Sequence, residues 1–188
     1  MSLKTRHVSD TTRSYLDRIG HRGPTPLSLE SLRRLHKKHL LSIPFENLDI
    51  HLGCPIILSQ DAFYEKIIAH KRGGFCYELN GSFAALLTSL GFKVRMLSAR
   101  VARKNGGFTP EFDHMTLLVT MKDRCLADVG FGESFTEPKR LDFHGPQTDN
   151  GRVYFITRRT GGRLLSRMGW REESLGAPIP VQSSTAKS

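Results

Sequence analysis

The hydrophobic period of the chain changes at Gly91, and this change restricts the fold more than any other feature of the sequence. Before Gly91, apolar residues recur every three or four positions, as on one face of a helix. After it, polar and apolar residues alternate in short runs between turns, as in antiparallel strands. Helices followed by strands predict an α+β protein. We therefore expect a helical subdomain at 1–91, an antiparallel, barrel-like β subdomain at 92–170 and a loose C-terminal tail at 171–188.

Capping and breaking residues predict where the elements begin and end. Ser28 and Ser59 are suited to cap two helices, because a serine side chain accepts a hydrogen bond from a free amide of the first turn. Gly73 and Gly74 separate the helix after Ser59 from the next one, which starts at Cys76. The predicted helices are 11–19, 29–41, 60–70 and 76–90, and the predicted strands include 93–103, 114–121, 125–129 and a hairpin around Gly161-Gly162.

The formal net charge of +10 raises the hypothesis of a nucleic-acid-binding protein. The densest basic run, residues 33–39, lies in a predicted helix whose leucines form an apolar stripe, so we interpret its charges as the solvated face of that helix. Few aromatic residues are interleaved with the basic ones, and no helix-turn-helix signature is present. We expect no nucleic-acid partner, although the positive charge would attract an anionic cofactor such as a nucleotide-bearing thioester.

Two further classes of protein conflict with the composition. No stretch approaches the ~20 apolar residues that span a bilayer, and residues 1–7 are polar, so we expect neither a membrane span nor a secretory signal. The three cysteines form no CxxC pair and accompany no histidine cluster at zinc spacing, which argues against a disulfide framework and a metal site. Free thiols are typical of a reducing compartment, and we expect a cytoplasmic protein.

Cys76 has the surroundings of a nucleophile. It follows two glycines that allow a sharp turn, and it lies in the first turn of a predicted helix, where free backbone amides stabilise a thiolate. We expect Arg72 and Glu78 to hold this turn through an ion pair or hydrogen bonds. The alternative is that Cys76 is an inert core thiol, which is the usual role of a free cysteine and our interpretation of Cys54 and Cys125.

His114 and Asp128 are candidate partners of this thiol. They lie near the same end of two predicted antiparallel strands joined by a turn at 122–124. A carboxylate inside the apolar run 126–130 needs a partner to offset its desolvation, and an imidazole N–H is a suitable one. We predict a cysteine-protease-like core of Cys76, His114 and Asp128, in which the carboxylate orients the imidazole and the imidazole takes the thiol proton. A histidine in such a position is, taken alone, more often a satisfied or solvated residue.

The segment after Asp128 is a candidate for binding a phosphate or an oxyanion, because its two glycines leave amides open to an anion. It has neither the P-loop nor the dinucleotide-binding spacing, and an ordinary turn with two permissive glycines is an equal alternative. Phe45 and Phe131 are candidates to line an aromatic pocket, with a place in the core as the alternative for each. The candidate cofactor contacts are Gly130, Phe131, Gly132 and Ser134.

Several segments together closely resemble the arylamine N-acetyltransferases, and the likeness covers about residues 10 to 145. They are RGGFCYELN at 72–80, a histidine that opens an apolar strand at 114, DVGFG at 128–132, SIPFENL at 42–48 and FGESFTEP at 131–138. The resemblance implies that the protein transfers an acetyl group from acetyl-CoA, through Cys76 and with ping-pong kinetics, to an aromatic acceptor. The acceptor would be the nitrogen of an arylamine or arylhydrazine, or the oxygen of an arylhydroxylamine.

The same resemblance also exposes a difference from the family. Its members are longer and carry a third domain that helps to enclose the coenzyme A cleft, so the resemblance implies that most or all of this C-terminal domain is missing here. The segment 109–111 also lacks the small residues that some members use against coenzyme A. The acyl donor is therefore open: the chain could turn over slowly with acetyl-CoA, use another donor, or form a homo-oligomer in which a second copy covers the exposed cleft.

Two other functions stay open on the residues alone. Cysteine, histidine and aspartate in this order also serve transglutaminase-like and other cysteine enzymes, so a hydrolase or an amide-exchanging enzyme is the chemical alternative. Papain-like enzymes fit less well, because their histidine follows the cysteine by ~130–150 residues, whereas His114 follows Cys76 by 38. A non-catalytic binding or regulatory module would keep the fold without a chemical need for all three groups.

Overall fold

The structure is a computed structural model that describes residues 9–103, 105–132, 134–158, 164–170 and 181–184. Helices precede strands, and the predicted α+β class is confirmed. The helices are α1 (Asp10–Arg18), α2 (Leu29–Ser42), α3 (Leu48–His51), α4 (Gln60–Phe63), which continues as a π-helix (Tyr64–Ala69), and α5 (Cys76–Ser89). The strands are β1 (Lys93–Val101), β2 (His114–Thr120), β3 (Arg124–Ala127), β4 (Lys139–Arg140), β5 (Gln147–Asp149), β6 (Arg152–Arg158), β7 (Leu164–Trp170) and β8 (Val181–Ser184).

The predicted capping residues begin their helices. Ser28 Oγ accepts a hydrogen bond from Ser31 N, and Ser59 Oγ accepts one from Ala62 N, each at 3.2 Å. Each bond satisfies one of the backbone amides that a helix leaves free in its first turn. The helix predicted from residue 60 is present, but its second part is wound as a π-helix, a form that is rare and often found near functional sites.

Within the described residues, eight strands form one antiparallel sheet in the order β4-β3-β2-β1-β8-β7-β6-β5. β8 lies between β1 and β7, so residues 181–184, which the sequence assigns to the tail, belong to the sheet. β6 and β7 pair along their length, as the predicted hairpin requires, while its turn at Gly161-Gly162 lies outside the described residues.

The two edges of the sheet are joined by a side chain. Within the described residues, β4 and β5 share no backbone ladder. The amide of Gln147, in β5, instead accepts a hydrogen bond from Arg140 N at 2.8 Å and donates one to Arg140 O at 2.9 Å. A glutamine amide presents one donor and one acceptor, as a strand residue does, so the sheet is barrel-like without being closed by strands.

β2 and β3 are buried on both faces, and their alternate residues enter two different cores. Leu117 and Val119 of β2 pack with α5 and the other helices, whereas Leu118 and Leu126 lie in a second core inside the curved sheet. α5 packs directly against β1 and β2. Each fully buried leucine contributes about 1.5–3 kcal/mol, so the start of α5 and the ends of β2 and β3 are held in a fixed relation.

Candidate active site

Cys76 is the first residue of α5 and is 9% exposed. The helix starts after the extended residue Phe75, whose amide donates to Glu78 Oε2 at 3.0 Å. This carboxylate satisfies one of the free amides at the helix N-terminus and places a negative charge where the helix dipole favours it. The thiol is therefore held at the positive end of α5.

Two glycines allow the chain to turn into α5. A Cβ on Gly73 would lie 2.1 Å from Pro44 O, and a Cβ on Gly74 would lie 2.8 Å from Glu78 Oε2. The turn is paired with the segment after α2, since Glu46 N donates to Gly74 O at 2.9 Å and Gly74 N donates to Pro44 O at 3.3 Å. Only glycine permits so close an approach of two backbones.

A cluster of charges surrounds this turn, and Lys66 of the π-helix is at its centre. Lys66 Nζ lies 2.8 Å from Glu78 Oε2, 2.8 Å from Asp49 Oδ2 and 3.4 Å from Glu46 Oε1. Arg72 Nη2 lies 2.8 Å from Glu46 Oε1 and 2.7 Å from Asp49 Oδ1. Arg72 and Glu78 thus hold the turn as expected, but through separate partners rather than through each other. Burial lowers the pKa of Lys66, yet its hydrogen bonds to Asp49 and Glu78 outweigh burial and the net shift is upward.

β2 and β3 bring His114 and Asp128 to the same end of the sheet. Leu117 of β2 pairs with Ala127 of β3, His114 opens β2, and Asp128 follows β3 directly. His114 Nε2 lies 2.6 Å from Asp128 Oδ2, and both side chains are buried. The side chain of Cys76 also acts on His114 and raises the pKa of its imidazole. Because Nε2 is bonded to Asp128, Nδ1 is the nitrogen left for the thiol. The structure thus brings the three predicted residues together.

The charges of this group depend on one another. Burial lowers the pKa of His114, but the charge of Asp128, its hydrogen bond and the nearby Cys76 side chain outweigh burial and raise the pKa to about 10. Burial raises the pKa of Asp128, yet the net shift is downward because His114, Asn80 and the amide of Gly130 stabilise the carboxylate. The ionised carboxylate therefore favours a protonated imidazole beside the thiol.

Asn80 holds the carboxylate, and the sequence analysis missed this role. Its Nδ2 donates to Asp128 Oδ1 at 3.0 Å and to Met115 O at 2.7 Å, and its Oδ1 accepts from Val129 N at 3.0 Å. Asn80 follows Cys76 by four residues in α5, so the two side chains lie on one face of the helix. That spacing was the signal that could have identified Asn80 as part of the site.

The loop after Asp128 packs against the backbone of Cys76 and the imidazole of His114. A Cβ on Gly130 would lie 2.7 Å from Cys76 Cα, and Gly130 N donates to Asp128 Oδ1 at 3.0 Å. This amide is therefore engaged by the carboxylate and is not open to an anion, unlike the arrangement that the sequence suggested. The ring of Phe131 is half-buried and meets the His114 ring edge-on, with 5.1 Å between centroids.

The other candidate binding residues are Phe45, Gly132 and Ser134. Phe45 is 49% exposed and forms a parallel bridge with Gly74, so it lies beside the turn that precedes Cys76. Gly132 and Ser134 line a polar cavity of about 300 Å³. The other residues lining this cavity are Thr136, Asp149, Asn150, Arg152 and Tyr154.

A tyrosine ties α5 to the loop that precedes His114. Tyr77 Oη donates to Phe112 O at 2.5 Å, and Phe112 N donates to Ser98 Oγ at 2.8 Å. Phe112 has a φ of 66° and its side chain is 65% exposed. Left-handed backbone is uncommon for an aromatic residue, and two hydrogen bonds hold it here next to the site.

The remaining cysteines differ from Cys76. Cys54 is exposed, while Cys125 is buried in β3, where burial and then the charge of Asp123 raise its pKa to about 11. Across the described ranges, no group of three or more His, Cys, Asp or Glu side chains is arranged to hold a metal ion. In the same part of the chain, no helix is long and apolar enough to cross a bilayer.

Comparison with known proteins identifies the family. A family model described as N-acetyltransferase matches residues 28–180. The arylamine N-acetyltransferase of Escherichia coli is 43% identical over 129 residues, which are 68% of this chain and 46% of that protein. The chain therefore belongs to the arylamine N-acetyltransferase family. It spans about half the length of the curated relatives it matches.

Solved structures agree with this result. The arylamine N-acetyltransferase of Salmonella typhimurium superposes with a TM-score of 0.86 at 31% identity, over 97% of this chain and 66% of that one. The Mycobacterium marinum enzyme, solved in complex with CoA, superposes with a TM-score of 0.83 at 35% identity, over 94% of this chain and 66% of that one. The predicted fold is that of these relatives.

Proposed function

We propose that this chain is an acyltransferase that takes an acetyl group from acetyl-CoA onto Cys76 and passes it to an aromatic acceptor. The acceptor is the nitrogen of an arylamine or arylhydrazine, or the oxygen of an arylhydroxylamine. The observation that carries the proposal is the position of His114, whose buried imidazole is hydrogen-bonded to Asp128 and whose pKa is raised by both Asp128 and the neighbouring Cys76 side chain. Membership of the arylamine N-acetyltransferase family supports both the donor and the acceptor.

In the first half-reaction, the sulfur of Cys76 attacks the thioester carbonyl carbon of acetyl-CoA. His114 takes the thiol proton, because Asp128 favours the imidazolium form. The carbon–sulfur bond to Cys76 forms as the carbon–sulfur bond to coenzyme A breaks. The departing thiolate takes the proton from His114, which leaves acetyl-Cys76 and free CoA.

In the second half-reaction, the acceptor nitrogen or oxygen attacks the carbonyl carbon of acetyl-Cys76. His114 accepts the proton that the acceptor loses, and the Cys76 thiolate leaves as the new bond forms. We assign Phe131, which packs edge-on against His114, and the half-exposed Phe45 to the pocket for the aromatic ring.

For coenzyme A we assign the contacts Gly132 and Ser134, which line the polar cavity of about 300 Å³, together with Phe131. Gly130 would support this side of the site by its close packing on Cys76, since its amide is bonded to Asp128. The net charge of +10 favours an anionic donor. The likeness to the Mycobacterium marinum structure in complex with CoA also supports this donor.

The division into subdomains belongs to the same proposal. Residues 1–91 supply Cys76 and residues 92–170 supply His114 and Asp128, so the reaction would take place where the two subdomains meet. A homo-oligomer that covers the cleft stays a prediction, which sedimentation of the purified protein tests. A cytoplasmic location also stays a prediction, which cell fractionation tests.

The experiment is to incubate the purified chain with acetyl-CoA and to follow the protein by intact mass. One acetyl group should appear on the wild type and be absent from Cys76→Ala, while the matched controls Cys54→Ala and Cys125→Ala should keep it. Addition of an arylamine should then remove the label and yield the N-acetylated amine. Release of CoA in step with labelling would show that the thioester is the source of the acetyl group.

Other outcomes distinguish the alternatives. Cleavage of peptides or amides without labelling by acetyl-CoA would support a transglutaminase-like or other cysteine hydrolase. A folded protein that is neither labelled nor active on any of these substrates would overturn the transferase proposal and favour a non-catalytic module.

A further inference from the structure

Two histidines of α2 lie in the core, although the run around them is basic. His36 and His39 are both 0% exposed and lie on the helix face that also carries Leu32 and Leu35. The interpretation of residues 33–39 as a solvated face is therefore wrong for these two side chains. A buried imidazole is costly unless its nitrogens are hydrogen-bonded, so the partners of each histidine decide what it does.

Both ring nitrogens of His36 are hydrogen-bonded to backbone groups of the segment that begins with Asp128. Its Nε2 lies 3.1 Å from Asp128 N, and its Nδ1 lies 2.9 Å from Thr136 O. An amide can only donate and a carbonyl can only accept, so Nε2 is the acceptor and Nδ1 carries the proton. Both bonds can exist together only when the imidazole is neutral and in the Nδ1–H tautomer.

These two contacts are the ends of one loop. Residues 128–136 begin with the carboxylate that bonds His114, and they carry Phe131, whose ring packs on that of His114. One imidazole from a helix far away in the sequence therefore bonds the backbone at both ends of the loop. Phe135 stacks on His36 at 5.8 Å and Phe83 meets it edge-on at 6.0 Å, which fixes the plane of the ring.

We propose that His36 is a positioning residue for the site formed by Cys76, His114 and Asp128. Its neutral imidazole sets the backbone position of Asp128, and through Asp128 the orientation of His114. Hydrogen bonds from Asn80 and Gly130 fix the side-chain carboxylate of Asp128. The backbone amide of Asp128 is bonded to His36 instead.

Burial keeps His36 neutral. Burial lowers its pKa to about 4, while the carbonyl of Thr136 and the charge of Asp128 act upward and Lys139 of β4 acts downward. His39, from the same helix, is a further titratable group close to His36. Above pH about 4 the Nε2 lone pair is therefore free to accept from Asp128 N. Protonation at lower pH would replace this acceptor by a donor and break the bond.

His39 provides a matched control. It is as buried as His36, lies three residues along the same helix, and packs against the same Phe83 ring at 5.3 Å. Its Nδ1 is hydrogen-bonded to Tyr15 Oη at 2.8 Å, so its hydrogen bond goes to α1, whereas those of His36 go to the loop at 128–136. A change at His39 tests what the loss of a buried imidazole does by itself.

The tautomer can be read directly in the wild type. Nitrogen-15 NMR of the imidazole rings at pH 7 should show His36 neutral with its proton on Nδ1, and the Asp128 amide bonded to Nε2. An Nε2–H tautomer or a charged ring would overturn the proposal. This measurement needs no variant and no acyl donor.

The kinetic test compares His36→Phe, His36→Asn and His36→Gln with His39→Phe, all in Cys54→Ser protein. Asparagine can reach Thr136 O but not Asp128 N, whereas glutamine is long enough to offer Asp128 N an acceptor. The measured rate is that of Cys76 alkylation by iodoacetamide in the folded protein. We expect His36→Phe and His36→Asn to slow alkylation by about 10-fold, His36→Gln to restore most of the rate, and His39→Phe to change it less than ~2-fold.

Equal rates in His36→Phe and His39→Phe, or no advantage of glutamine over asparagine, would overturn the positioning role. Acetylation by acetyl-CoA should follow the same order among the variants, and this part alone rests on the proposed function. If the wild type is alkylated but not acetylated while the order of alkylation rates holds, the transferase proposal fails and the role of His36 stands.

Discussion

Asp128 and Asp149 are each buried in an ion pair, and of these two only Asp128 lies near the nucleophile Cys76. Asp128, after β3, is 2.6 Å from His114 Nε2, and Asp149, in β5, is 2.7 Å from Lys139 Nζ. Each also accepts hydrogen bonds from a backbone amide and from a second side chain. The two pairs are alike in burial and in bonding, so neither property separates a reactive site from a structural one.

The cations of the two pairs respond differently to their surroundings. Burial lowers the pKa of both. It prevails for Lys139, whose ammonium lies over the rings of Phe135 and Tyr154 in the second core, and the net shift is downward. For His114 the carboxylate and the thiol prevail, and the pKa rises to about 10. A buried carboxylate therefore indicates an active site when its partner can exchange a proton with a neighbouring nucleophile.

The largest effect is expected from Asp128→Asn. The oxygen at the Oδ1 position accepts from Asn80 and Gly130, so the new amide nitrogen must point to His114 Nε2. Nε2 must then accept, which puts the imidazole proton on Nδ1 and leaves no acceptor for the Cys76 thiol. We expect single-turnover acylation of Cys76, followed by intact mass, to slow by roughly 10³- to 10⁴-fold.

Asp149→Asn is the control for this change, because it makes the same substitution in the other pair. It should weaken folding, yet leave the acylation rate of the folded protein at saturating acetyl-CoA within ~3-fold of the wild type, since Asp149 lines the cavity assigned to coenzyme A and a change there acts on donor binding. If both substitutions slowed acylation equally in folded protein, the two carboxylates would not have separate roles.

The second prediction concerns the contribution of the Lys139–Asp149 ion pair to stability. Lys139→Met removes the ammonium that neutralises Asp149, and both side chains are buried. An unpaired buried charge typically costs about 3 to 5 kcal/mol, so the free energy of unfolding in urea should fall by that amount. The double variant Lys139→Met/Asp149→Leu should recover most of the loss, since it leaves no charge behind. A double variant as unstable as the single one would show that packing, and not the unpaired charge, causes the loss.

The sequence indicates the positions of the site residues well where they are set by residues close to them in the chain. The change of period at Gly91 separates helices from strands, and the glycines before Cys76 start α5 at the right residue. The short connection between β2 and β3 brings His114 and Asp128 to one end of the sheet. Each of these signals is local, so each can be read without knowledge of the tertiary fold.

The contacts that support the site come from distant segments, and the sequence does not reveal them. Lys66 forms ion pairs with acidic residues that precede and follow it in the chain. The sequence had indicated only Arg72 and Glu78 as the residues that hold this turn. His36 stands in a basic run, although its four-residue spacing from Leu32 matches the apolar face. β8 becomes a strand by pairing with β1 and β7, because a weakly patterned segment gains strand structure from its neighbours.

The third prediction contrasts two glycines in the loop between the two carboxylates. A Cβ on Gly130 would lie 2.7 Å from Cys76 Cα and 2.8 Å from Asn80 Nδ2, whereas a Cβ on Gly132 would meet nothing within 4 Å. Overpacking of this kind costs about 1 to 3 kcal/mol, so Gly130→Ala should lower the unfolding free energy by that amount and slow acylation. Gly132→Ala should stay within about 0.5 kcal/mol of the wild type. Equal stabilities of the two variants would contradict the close packing of the loop on α5.

The smallest predicted effect is a change in the free energy of unfolding with pH, and its direction follows from the pKa of His114. His114 has an ordinary pKa of 6.5 and a folded-state pKa of about 10. Between these values the folded protein holds one proton more than the unfolded chain, so raising the pH favours unfolding. The stabilisation is complete below pH 6.5 and is lost on approach to pH 10, with a slope of at most about 1.4 kcal/mol per pH unit.

Urea unfolding of Cys76→Ala protein from pH 6.5 to 9.5 measures this slope without titration of the active-site thiol. His114→Gln and Asp128→Asn should each flatten it, because the first removes the titrating ring and the second removes the charge that raises its pKa. Lys139→Met should not flatten the slope over this range. The pKa of Lys139 is lowered, so the proton linkage of that pair has the opposite sign and cannot produce a loss of stability with rising pH. If the slope persisted in His114→Gln but disappeared in Lys139→Met, the titrating proton would belong to the Lys139–Asp149 pair. The distinction drawn between the two carboxylates would then be reversed.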